Sequence, residues 1–218
     1  LGAEIAGVDL SADISDAVIE ELTGALNEHH VIFFRDQDDL TPKRQAAFAS
    51  RFGALIPYPM VKGLGGTDAV VPVVKKPDER ANFGGLWHAD TTYLDAPPMG
   101  ALLYAVELPP FGGDTLFANM HLAYETLSPS LQAYLATLTV IQNSAKAEVA
   151  KTREDRIKDD GGNRVQFVAE HPAVITHPRT GRKALYVNSA HTERFNELTT
   201  EESEPILQFL FRHLTRPE

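Results

Sequence analysis

The sequence predicts an α+β domain, mainly β, in which an antiparallel sandwich or barrel carries helices on its outside. Two observations point there. Helical periodicity gathers towards the two ends of the chain, while the middle is a series of short β-rich runs cut by proline and glycine. No internal repeat is visible, and the 218 residues are read as one domain, 1–218.

Between Ile14 and His30, Val18, Leu22 and Leu26 recur every fourth residue among Asp, Glu and Asn, the stripe of an amphipathic helix. Val31 to Phe34, VIFF, is then a short buried strand. Thr41 before Pro42 supplies a capping hydroxyl and a ring preset for the first turn, and Gly53 is a natural stop, so a helix is expected over 42–52. Residues 54–98, rich in Pro and Gly around VVPVV (70–74), read as strands and long loops, and long loops often carry function. ALLYAVEL (101–108) and TLFANM (115–120) flank PPFGGD as strand, turn, strand.

Helices are expected near 120–126 and, behind Ser128 and Pro129, over 129–137. Residues 145–166 hold many charges and few large apolar side chains, the composition of an exposed excursion or a lid. AVITHPRTGRKALYVN (173–188) is a hairpin about a Pro/Gly turn. Thr199 and Glu202 make a capping box for a last helix whose Ile206, Leu207, Leu210 and Leu214 share one face. Pro205 requires a place in the first turns of that helix or a start nearer Ser203.

Composition narrows the function classes. Hydrophobic content of 43% and charged content of 23% are ordinary for a folded domain. A net charge of −10 repels a phosphate backbone and no basic stripe offsets it, so nucleic acid is not an expected partner. A few arginines can still make a local pocket attractive to a small anion. With no cysteine there are no disulfides, thiolate metal sites or cysteine nucleophiles, which fits a reducing, cytoplasmic setting. No apolar run approaches a membrane span, so no membrane partner is expected. Amphipathic faces look alike within and between subunits, which leaves room for a homo-oligomer.

The stretch FGGLWHADTTYLDAPP, Phe83 to Pro98, sets His88 and Asp90 two apart beside the single tryptophan, Trp87. On an extended segment side chains at that spacing point the same way. An imidazole and a carboxylate on one face supply two of the three ligands of a facial triad on Fe(II), with open positions for a co-substrate and oxygen. A bare H-x-D is equally a hydrogen-bonded loop pair, and a distant histidine has to complete the triad.

The chain as a whole resembles the taurine dioxygenase/2,4-D dioxygenase (TauD/TfdA) family of Fe(II)- and 2-oxoglutarate-dependent oxygenases. The motifs LGAEIAGVDL, VIFFRDQ, FASRFG, WHADTTYLDAPP, ELPPFGGDTLFANM, AYETLSP, THPRTGRKALYVN and EESEPILQFLFRHLTRPE occur in the family's order. The resemblance implies a double-stranded β-helix, or jelly roll, with peripheral helices. It matches His88 and Asp90 to the first two iron ligands and Thr115 of GGDT to the threonine that helps hold the 2-oxoglutarate carboxylate. It places the distal histidine and the 2-oxoglutarate arginine after the helix that ends here in TRPE. Since the sequence begins at Leu1 and stops just there, both ends are read as cut, with a C-terminal segment and a few N-terminal residues missing.

The implied reaction consumes 2-oxoglutarate and O2, releases succinate and CO2, and hydroxylates a substrate C–H bond at Fe(II). Members acting on taurine use a histidine in the loop after RFG and an aromatic residue in the loop after VN; here Tyr58 and His191 fall near those positions. Both departures argue against taurine, and a small organic anion of the aryloxyalkanoate, sulfonate or sulfate ester type is expected. Trp87 reads as core beside the metal or as a substrate contact, and Tyr58 and His191 as pocket or solvent-facing residues. The alternative class is a non-catalytic jelly-roll protein that binds a small ligand through an incomplete metal site.

Overall fold

The computed structural model describes residues 1–58, 63–64, 66–75, 77, 84–147 and 166–216. The chain divides into two compact units, one of Leu1–Arg80, Pro98–Leu102 and Arg153–Gly162, the other of Ala81–Pro97, Leu103–Thr152 and Asn163–Glu218.

In the first unit β1 (Ala3–Ile5) lies parallel to β2 (Ile32–Phe34), with Ala3 opposite Ile32, and α1 (Asp16–His29) makes the crossover between them. The Ser15 side chain accepts the Val18 N–H at the start of α1. The helix ends on His30, whose left-handed φ of 68° turns its N–H back to the Leu26 carbonyl. Its inner face buries Ile19, Leu22 and Thr23.

Thr41 caps α2 (Pro42–Ala49) as the sequence predicts, but the helix stops short of 52. The Arg51 and Phe52 N–H groups bond to the Phe48 and Ala49 carbonyls, a tightened last turn in place of another α-helical one. Phe48 meets Phe34 and Phe52 edge to face, with centroids 6.0 and 5.2 Å away. The Gln37 amide stitches the loop before α1 to the segment after β2: Oε1 accepts the Leu10 N–H at 2.7 Å and Nε2 donates to the Val8 carbonyl at 3.0 Å. VVPVV forms no strand, and the described part of 54–98 pairs through one isolated bridge, Leu64 with Thr67.

The second unit is built on an antiparallel sheet of β3 (Thr139–Asn143), β4 (Val168–Pro172) and β7 (Thr192–Phe195), with β3 in the centre. β5 (Val174–Thr176) and β6 (Lys183–Leu185) form the expected hairpin. α3 (Met120–Glu125) and α4 (Pro129–Leu135) start on the side-chain caps of Asn119 and Ser128. α5 (Thr200–Leu214) opens on the complete Thr199/Glu202 capping box. It starts at Thr200 and carries Pro205 inside, in its second turn rather than at its entrance.

One core holds this unit together: Leu127, Leu135, Leu138, Val140, Leu185, Val187, Phe195, Leu207, Leu210 and Leu214 pack among Ala123, Tyr124 and Ala173. Each large side chain buried here contributes about 1.5–3 kcal/mol. The sequence reading passed over β3, β4 and β7, because Gln142, His171 and Arg194 break the apolar alternation that announces a strand.

The α+β class holds: helices and short sheets of two and three strands share the chain. The strand–turn–strand expected over 101–120 does not form among the described residues. The run from Ala101 to Asn119 is irregular, and Leu103, Val106, Leu108, Phe111 and Leu116 stand exposed. A strand exists through the backbone of a paired strand, and no described strand pairs with this run. Of the charged excursion read at 145–166, residues 148–165 lie outside the described set. No described helix is long and apolar enough to cross a membrane.

Candidate metal centre

His88 and Asp90 sit on an irregular stretch of the second unit between Gly84 and Tyr93. Gly84 lies at φ +74°, and a Cβ there would stand 3.2 Å from Cε1 of His88, so the glycine gives the ring its room. The Nδ1 of His88 donates to the Leu86 carbonyl at 2.7 Å. That bond orients the ring so that Nε2 faces Asp90 Oδ1 at 3.2 Å, where Nε2–H donates to the carboxylate and where loss of that proton would free a lone pair for a metal. Two ligands at right angles on a metal, each about 2.1 Å from it, stand about 3.0 Å apart. The pair therefore fits two adjacent ligands of one ion. Among the described residues, no group of three His, Cys, Asp or Glu side chains forms a metal cage.

The hydrogen bond between the two side chains dominates their electrostatics. It raises the imidazole above its usual range, against the pull of burial, and holds the Asp90 carboxyl below the usual carboxylate range. Asp90 is thus the anionic oxygen that a divalent cation prefers.

His191 completes the near surroundings. Its ring lies edge to face with His88, centroids 6.4 Å apart, and with Tyr93 at 4.9 Å. It is 4% exposed, and its buried Nδ1 has no hydrogen-bond partner among the described residues. Burial, followed by the charge on His88, pushes its pKa down to about 4, so the ring is neutral near pH 7.

A buried polar cluster lies behind the pair. Gln142 Oε1 accepts the hydroxyls of Thr92 at 3.3 Å and Thr192 at 3.1 Å, and its Nε2 donates to the Tyr186 carbonyl at 3.1 Å. The Asn188 side chain donates to Thr92 at 3.4 Å and accepts the His191 N–H at 2.8 Å. The Trp87 carbonyl receives the Ser189 hydroxyl at 3.0 Å, and His171 Nε2 donates to the Leu94 carbonyl at 2.9 Å. The stretch that carries His88 and Asp90 is therefore held on both sides of Asp90.

The structure brings three of the sequence-predicted residues together with Asp90: His88, Trp87 through its backbone, and His191. The Trp87 side chain is half-buried. Thr115 lies in the exposed, irregular run, and no described contact brings it to the pair. Tyr58 is half-buried and belongs to the first unit. The sequence reading missed Thr92, Gln142, Asn188 and Thr192. The available signal was Gln142, a polar residue in phase with buried Val140 on β3.

The model of the family described as taurine catabolism dioxygenase TauD, TfdA matches residues 1–218. An alpha-ketoglutarate-dependent sulfate ester dioxygenase of Pseudomonas putida is 32% identical, over 100% of this chain and 73% of its own length. A (S)-phenoxypropionate/alpha-ketoglutarate-dioxygenase of Sphingobium herbicidovorans is 34% identical, over 99% of this chain and 77% of its own. The crystal structure of AAD-2 in complex with Mn(II) and N-oxalylglycine superposes with a TM-score of 0.80 at 28% identity, covering 100% of this chain and 79% of that one. With the match running the length of the chain, from LGAEI to HLTRPE, the protein belongs to the TauD, TfdA family.

Proposed function

We propose that His88 and Asp90 hold the Fe(II) of a dioxygenase that hydroxylates a small organic anion of the sulfate ester, sulfonate or aryloxyalkanoate type. As a family member the chain is an alpha-ketoglutarate-dependent dioxygenase, a class that works with Fe(II), 2-oxoglutarate and O2. The observation that carries the site is the 3.2 Å approach of His88 Nε2 to Asp90 Oδ1, with Nδ1 tied to a backbone carbonyl.

Bound metal and co-substrates supply the oxidative decarboxylation of 2-oxoglutarate to succinate and CO2 and the hydroxylation of a substrate C–H bond. The chain's own part is placement. His88 would offer Nε2, on loss of the proton it shares with Asp90, and Asp90 an anionic oxygen. Neutral His191 and half-buried Trp87 wall the space beside them and meet the substrate, and Thr115 hydrogen-bonds the 2-oxoglutarate carboxylate. The fold around them is a single jelly-roll domain with peripheral helices, working in the reducing, cytoplasmic setting that a cysteine-free chain suits.

The test is succinate formation from 2-oxoglutarate under air with Fe(II), over a panel of an alkyl sulfate, an alkanesulfonate and 2-phenoxypropionate. Substrate-stimulated succinate is expected with at least one of them and is lost in His88→Ala and Asp90→Ala, whose circular dichroism stays native. Near wild-type succinate from either variant overturns the ligand assignment.

A further inference from the structure

We infer that Gln142 is a positioning residue for the His88/Asp90 pair, acting through the hydroxyl of Thr92; the inference rests on the metal-site reading above. Asp90 is followed by Thr91 at φ 49°, left-handed backbone that a β-branched residue adopts at a cost. Such a conformation persists where surrounding structure enforces it. The Thr91 hydroxyl is buried with no hydrogen-bond partner among the described residues, so none of these ties it to the turn.

Thr92 holds the turn. It is 1% exposed, donates to Gln142 Oε1 and accepts the side-chain N–H of Asn188. Gln142 is fully buried, and its Nε2 donation to the Tyr186 carbonyl decides which way the amide faces. Its oxygen therefore takes both threonine hydroxyls, one on each lone pair. Each hydroxyl, having spent its proton there, accepts from Asn188: Thr92 from the side chain, and Thr192 from the backbone N–H at 2.9 Å. Each threonine hydroxyl proton is thus directed to Gln142 Oε1, which favours one arrangement of the buried network. It locks the turn after Asp90 to β3 and to the loop before β7. Groups that orient metal ligands in this way change metal affinity by about 10- to 100-fold when removed.

The test uses the full chain and Mn(II), titrated by electron paramagnetic resonance at a temperature where circular dichroism shows each variant folded. Thr92→Val, which keeps the shape and removes the hydroxyl, is expected to raise the Mn(II) Kd by about tenfold, as is Gln142→Leu. The double variant is expected to be no weaker than the weaker single one, because both remove the same tether. A purely structural cluster would lower the unfolding midpoint and leave the Kd of the folded protein within twofold of wild type. That result in Thr92→Val, which suffices if Gln142→Leu does not fold, overturns the inference. The metal reading fails separately: wild type and His88→Ala would then bind Mn(II) alike.

Discussion

The His191 and His88 rings stand edge to face, 6.4 Å between centroids with their planes at 79°. On the proposal that His88 and Asp90 hold the metal, this buried neutral imidazole is a candidate substrate contact. In His191→Phe the ring volume stays and the nitrogens go. The kcat/KM ratio between an alkyl sulfate and 2-phenoxypropionate is expected to shift by about tenfold, with the Mn(II) Kd unchanged. An unaltered ratio removes His191 from the substrate contacts.

Thr91 carries the backbone strain of the site. In Thr91→Gly, relief of about 1–2 kcal/mol of left-handed strain opposes the lost side-chain burial. Stability in urea is therefore expected to stay within about 1 kcal/mol of wild type, whereas Thr92→Ala, which strands buried partners, costs about 1–3 kcal/mol. Equal losses at the two positions would show that Thr91 is not strained.

Pro205 sits exposed inside α5, where it cannot donate to the carbonyl four residues back and its ring crowds that carbonyl. Pro205→Ala restores the bond at the expense of a freer unfolded chain. We expect a net stabilisation of about 2 kcal/mol, read as a higher urea midpoint at the same slope. A lower midpoint would mean that the proline's effect on the unfolded chain outweighs the restored bond.

Glu202 is held below the ordinary glutamate value of 4.5, chiefly by the Thr199 N–H and then by the Thr199 hydroxyl. A depressed carboxyl stabilises the fold in full above its unfolded pKa and loses that contribution as pH falls through the folded one. The stability gap between wild type and Glu202→Gln is thus expected to be constant above about pH 5 and to shrink below pH 4.5. A gap that does not depend on pH would separate the capping box from the charge of Glu202.

How far the sequence reaches follows from how far apart the cooperating residues lie. Ser15 and Val18, Thr41 and Arg44, Thr199 and Glu202 are each three residues apart, and these local bonds make the starts of α1, α2 and α5 legible. His88 and Asp90 are legible for the same reason. Spacing alone puts them on one face, and the structure closes them to 3.2 Å. The end of α2 was overrun because a tightened last turn leaves no mark in apolar periodicity.

The sequence by itself determined the helices, the β5–β6 hairpin and the closeness of His88 to Asp90, because periodicity, caps, turn residues and i, i+2 spacing act within a few positions. Tertiary structure alone decided that Val140 and Gln142 share the buried face of a central strand, that 101–118 stays irregular, and that His191 comes to lie beside His88. It also joined Gln142 to Thr92 and Thr192, each 50 residues away, into one cluster behind Asp90. Strand pairing and buried hydrogen bonds are contracts between distant segments. Their energy exists only when both parties arrive, and no local pattern records it.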